Sequence, residues 1–169
     1  MSLVGSFGVN YKITFENPAT SSSGLPLPVP LMTVGSLLEG EFVFVQADGA
    51  IDQYGFVKIE ADGQAAMITQ TNDGTQGLLV GVAQVAAADN EYLWVWVGGL
   101  NGGGAGKGIR GKVAANYVAK NNLYTTTTAG VADDDTTSPA VKIAYVVGVA
   151  STTPAAAVEL YSLGHIKIN

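Results

Sequence analysis

The sequence predicts an all-β protein, a small β-barrel or β-sandwich preceded by an extended Pro-rich N-terminal arm. Three observations carry that expectation. Short runs of β-branched and aromatic residues recur from Gly40 onward, the composition that suits a pleated, half-buried surface. Acidic-Gly and Asn-bearing clusters punctuate them: "ADGA", "ADGQ", "NDGT" and "ADNE", residues that tolerate tight turns. No segment carries apolar residues at helical spacing over a helix of ordinary length; Ala86–Ala88 and Ala114–Ala119 are the only helix-friendly patches, and both are short.

The elements follow in order. Residues 1–38 form the arm. Ser21-Ser22-Ser23-Gly24 leads into "LPLPVP", Leu25 to Pro30, where proline at every second position fixes φ and removes backbone donors. That excludes a helix or a central strand and predicts an extended, polyproline-like path. Leu25, Leu27, Val29 and Leu31 give the arm an apolar character, so it is expected to pack on something, a neighbouring subunit being one choice. Residues 39–169 form the β domain. Strands are expected over Phe42–Val45, Phe56–Ile59, Ala66–Ile68, Gly77–Val85, Tyr92–Val97, Gly111–Val118, Leu123–Thr128, Val141–Val149, Val158–Leu163 and Ile166–Ile168.

A faint internal repeat links the two halves. "LLVGVAQVAAADNEYLWVWVGG" lies over "AYVVGVASTTPAAAVELYSLGH", matching Val80-Gly81-Val82-Ala83 to Val147-Gly148-Val149-Ala150 and Leu93-Trp94 to Leu160-Tyr161. Upstream, "EFVFVQADG" lies over "NLYTTTTAG". The expectation is two similar β-layers, 39–100 and 109–169, packed together.

Composition narrows the function. Charged residues make up 13% of the chain and apolar residues 47%, about half the usual charged share of a soluble domain. A surface so poor in charge suits burial by a partner. The net charge of −6 argues against direct nucleic-acid or anionic-membrane binding. There is no cysteine, hence no disulfide, thiolate chemistry or cysteine zinc site. The opening MSLVGSFGVNYKITFE lacks the basic n-region and long apolar core of a signal peptide.

The segment NGGGAGKGIRGK, Asn101 to Lys112, resembles a phosphate-binding loop but fails its requirements. Asn101 occupies the first glycine position, Gly108 replaces the hydroxyl residue after the lysine, and the following residues read as strand. It reads instead as a flexible connection. Lys107, Arg110, Lys112 and Lys120 are half of the eight Lys and Arg residues, a local basic patch able to meet an acidic partner.

Candidates for catalysis and metal binding are few. His165 is the only histidine, and no Gly-x-Ser-x-Gly elbow accompanies it. Asp133-Asp134-Asp135 lacks the alternating spacing and bidentate Glu of a calcium loop. Glu39 and Glu41 share a strand face with nothing to desolvate them. No enzyme, cofactor or metal is expected. Tyr92, Trp94 and Trp96 line one strand face. They are either a sugar-stacking platform or a face buried by the protein's own layers or a second subunit. With Leu93, Val95 and Val97 on the other side, burial is favoured.

The run from "EGEFVFVQADG" to "EYLWVWVGG", followed by "GKVAANYVAKNNLYTTTTAGVADDDTTSPAVKIAYVVGVA", resembles the small Ala/Gly/Thr-rich decoration, or cement, proteins of tailed-bacteriophage heads. The likeness spans roughly residues 38–163 and is one of texture and order, without a catalytic motif. It implies a β-rich, β-tulip-like subunit, often a homotrimer, assembled in the host cytoplasm and placed on the outer virion surface. There it would clamp neighbouring major-capsid-protein subunits by binding alone. The residues expected to touch a partner or sister subunit are Leu25, Leu27, Val29, Leu31, Tyr92, Trp94, Trp96, Lys107, Arg110 and Lys112. The alternative is a carbohydrate-binding, tail-fibre or spike module using the aromatic strand.

Overall fold

The computed structural model describes residues 9–18, 27–71, 78–100, 102–137, 140–150 and 156–169. All regular structure within them is β. The strands are β1 (Thr14–Phe15), β2 (Val34–Leu37), β3 (Gly40–Ala47), β4 (Phe56–Ile59), β5 (Gln64–Met67), β6 (Leu79–Ala83), β7 (Tyr92–Gly98), β8 (Arg110–Val113), β9 (Asn122–Thr125), β10 (Ala132–Asp133), β11 (Lys142–Gly148) and β12 (Ala156–Ile168).

The pairings close into two rings of five strands. In the first, β3 pairs β5 in parallel, and β5–β4, β4–β6, β6–β7 and β7–β3 are antiparallel. In the second, β8 pairs β10 in parallel, and β10–β9, β9–β11, β11–β12 and β12–β8 are antiparallel. The two rings therefore have one connectivity: first strand beside third in parallel, then third–second, second–fourth, fourth–fifth and fifth–first. In this shared topology β6–β7 occupies the place of β11–β12. The upstream alignment is corrected. By pairing, β9 is the counterpart of β4 rather than β3, and β3 corresponds to β8. Register also differs: Val82 pairs Trp96, whereas its counterpart Val149 meets Glu159.

Alternation along β3 and β7 shows why both faces of these strands are apolar. Val43, Val45, Leu93, Val95 and Val97 join Val57, Ile59, Ala65 and Ala83 in one buried cluster, the lumen of the first ring. A five-stranded ring is narrow, so its lumen takes Val, Ile and Ala while the bulky rings point outward. Phe42, Phe44, Tyr92, Trp94 and Trp96 occupy a second cluster, continuous with the second ring's interior: Val113, Leu123, Ala132, Ile143, Val158 and Leu160. Gly111 allows this continuity, since a β-carbon there would lie 2.9 Å from the Phe56 ring and 2.7 Å from Leu160.

The described parts of residues 1–38 lie along the first ring. β1 pairs β7, and β2 pairs β3. Tyr11 stacks on Phe42 at 4.8 Å, and Phe15 meets Phe44 edge-on at 5.5 Å. Two short strands in this region escaped the sequence reading, because the two-residue β1 leaves no periodic signal and β2 has a Gly-Ser centre of low β-propensity.

Candidate interaction surfaces

The rings are joined by side chains as well as by core. The buried Gln84 amide donates to the Arg110 carbonyl at 2.8 Å and accepts from the Arg110 N–H at 3.0 Å. It mimics a backbone partner for β8. Lys112 reaches across to Asp52 at 2.7 Å, and the Lys112 N–H donates to the Tyr54 carbonyl.

Tyr92, Trp94 and Trp96 are core: their exposures are 8%, 3% and 0%. The Trp96 indole N–H donates to the Glu39 carbonyl at 2.9 Å. The burial expected from the two-faced apolar strand is supplied by this chain's own layers. In this fold the indoles offer no platform to a sugar and no surface to a sister subunit. Leu27, Val29 and Leu31 are partly buried against the same cluster, so this part of the arm packs on its own chain. Leu25 lies outside the described residues.

The glycine run is not a slack tether. Gly102 and Gly103 are buried. The Gly103 N–H donates to the Glu39 carbonyl and the Gly104 N–H to the Leu160 carbonyl, each at 2.7 Å, and the Ser162 N–H donates to the Gly102 carbonyl. A β-carbon on Gly103 would fall 2.1 Å from the Leu160 carbonyl oxygen. Glycine is required there because backbone meets backbone without space for a side chain. Only 105–108 form an exposed tip. Three of the basic residues each face a partner within the chain. Lys107 donates to the Leu38 carbonyl, Lys112 pairs Asp52, and Arg110 stands opposite Glu159.

His165 lies on β12 opposite Gly98, and its Nε2 is 2.6 Å from Glu41 Oε2 at an exposed position. Glu39 lends its carbonyl to Trp96 and Gly103. The acidic turn is committed to local structure. Asp134 accepts from Val118 N–H and Asn121 Nδ2, and Asp135 from Thr137. Burial raises the Asp133 pKa, opposed by the Asp134 N–H, with the neighbouring carboxylates adding to the rise. Among the described residues no group of three His, Asp or Glu side chains converges as a metal site. Tyr117 is a buried structural hydroxyl. It donates to the Asn121 carbonyl and accepts from the Gly148 N–H, both at 2.9 Å, and burial raises its pKa.

Two exposed apolar surfaces escaped sequence reasoning. One is the outer face of β11–β12. Tyr145 and Leu163 are 48% and 60% exposed, with Val147 and Tyr161 between two shallow clefts that all but Tyr145 share. Tyr145 sits at a bulge with φ of 68°, a strained backbone for a bulky residue. Lys167 places its ammonium 5.4 Å from that ring's centroid. The counterparts of Val147, Tyr161 and Leu163 in the first ring are Val80, Trp94 and Trp96, all buried. The alternation was legible, but only the fold shows which of the two equivalent faces is covered: the first ring's face lies under the second ring, while the second ring's face is exposed. The other surface is the β2 edge with its turn, where Val34, Leu37, Leu38 and nearby Leu100 are exposed.

No protein-family model matches this chain, and no curated protein sequence matches it significantly.

Proposed function

We propose that this chain is a structural virion protein that binds the outer surface of a tailed-phage capsid and holds neighbouring major-capsid-protein subunits together by contact alone. The observation that supports docking is the open apolar face of β11–β12. The same face on the first ring is covered by the second ring and the N-terminal segment, whereas Tyr145 and Leu163 remain exposed. A contiguous apolar face on a charge-poor protein marks an interaction site. Its centre, with an aromatic and aliphatic anchors, suits a hot spot. Closed rings suit a part under mechanical load, since the ten ring strands each have a neighbour on both sides. The identity of the partner rests on the sequence resemblance. Repetition over a shell would multiply a modest contact through avidity.

The test is cosedimentation of the purified chain with heads of the virus that carries its gene, paired with the heads' thermal rupture temperature. The proposal expects saturable binding, a higher rupture temperature, and loss of both with Leu163→Lys. Heads that neither bind the chain nor gain thermal resistance overturn it.

A further inference from the structure

β2 is an edge strand that hydrogen bonds only on one side among the described residues. The phase of its ladder follows from β3. Ala47 bonds toward the β7 side, through Glu91 and Asn90, while Phe44 and Gln46 bond toward the other side, through Thr33 and Gly63. Alternation then directs Phe42 to Gly35 and Gly40 to Leu37, their register partners. Among the described residues, the N–H and C=O groups of Val34 and Ser36 face no partner.

Native edges are usually blunted by charge, proline or a bulge. The strand Val34-Gly35-Ser36-Leu37 contains none of these. The adjoining turn is firmly held. The Glu39 carbonyl accepts from both Trp96 Nε1 and the Gly103 N–H, and the Leu38 carbonyl accepts from Lys107 Nζ. These three donors fix a two-residue turn whose Leu38 side chain is 89% exposed. A rigid, exposed leucine beside an open edge is preorganised for association.

We propose that two copies of this chain pair through β2, antiparallel about a two-fold axis at Ser36. A two-fold axis normal to the sheet keeps side-chain faces matched, so the central residue pairs with itself. Centring on Ser36 uses its outward N–H and C=O twice. It also sets Val34 of each copy, 59% exposed, opposite Leu38 of the other. The strand itself carries no charge, so no like charges stand directly opposite one another across the contact. This contact closes at a dimer, in contrast to the trimer that the sequence resemblance implies, and it does not depend on capsid binding.

The experiment is sedimentation equilibrium of the full chain at roughly 100 µM, a concentration that saturates a contact of micromolar affinity. Beside it run Leu38→Lys, at a position 89% exposed, and Ser36→Pro, which deletes an N–H that serves no bond to any described residue. Near-ultraviolet circular dichroism of the buried Trp94 and Trp96 reports that each variant is folded. The wild type is expected at twice the 17.3 kDa chain mass, and both variants at the monomer mass. A monomeric or trimeric wild type, or a dimer that survives both substitutions, overturns the proposal.

Discussion

Two glycines of the same run should differ sharply in what an added methyl group costs. Gly103 has φ of 68°, and its β-carbon would lie 2.1 Å from the Leu160 carbonyl oxygen. Alanine in that left-handed conformation costs about 1–2 kcal/mol. The overlap is with backbone, so it is relieved only by parting the Gly103–Tyr161 bridge. That weakens the bonds from Gly104 N–H to Leu160 and from Gly103 N–H to Glu39, at about 1 kcal/mol each. Gly103→Ala should therefore cost about 3–4 kcal/mol. Gly106 has φ of 79° and nothing within 4 Å of its β-carbon position, so Gly106→Ala should cost only the conformational part, about 1–2 kcal/mol. Urea unfolding with a common slope measures both. At about 2–4 °C per kcal/mol for a chain of this size, Gly103→Ala should lower the melting temperature by roughly 10 °C. Equal costs at the two positions would refute the packed-backbone reasoning and restore a flexible connection.

Gln84→Leu should lose about 2–5 kcal/mol by urea unfolding, because it strands the Arg110 N–H and C=O at the seam between the rings; a loss under about 1 kcal/mol would mean that water reaches that peptide. Tyr117→Phe should cost about 1–3 kcal/mol through the buried Gly148 N–H and the Asn121 carbonyl it abandons, read from the same unfolding curves. Asp133 has a folded-state pKa raised chiefly by burial, so its ionised form opposes folding. The folded state then holds its proton more tightly than the unfolded chain, and stability falls as pH rises through the window above the ordinary aspartate value. The melting temperature of Asp133→Asn relative to wild type should increase between about pH 4 and pH 7; a difference that shrinks with pH contradicts the sign.

The all-β class, the strand at Phe56–Ile59 and the two-faced character of Tyr92–Val97 were legible in the sequence. β-branching, aromatic content and turn residues are local properties, and they act before any tertiary contact forms. The repeat was half legible. The β6–β7 and β11–β12 hairpins keep the Val-Gly-Val-Ala string because Gly81 and Gly148 sit where a β-carbon would meet Val95 and Tyr117 respectively. β3 and β8 retain no such string, since one faces aromatics and the other carries Arg110 and Lys112 outward. Texture therefore aligned β3 with the wrong strand. β1 and β10 are two residues long, too short for any period to register, and β2, Val-Gly-Ser-Leu, lacks the aromatic and β-branched density that made Phe56–Ile59 legible.

What the sequence determined by itself was which segments extend, where they turn and which strands need cover on both sides, because these depend on side-chain chemistry at spacings of one or two residues. Tertiary structure alone decided what supplies the cover. Ring closure fixed which apolar face became lumen, and the docking of the second ring and the N-terminal segment buried Trp94 and Trp96. The same docking left Tyr145 and Leu163 in water, and it turned a glycine run that reads as slack into backbone held against Leu160. Those outcomes rest on contacts between residues tens of positions apart, where the free energy depends on geometry that no local pattern encodes.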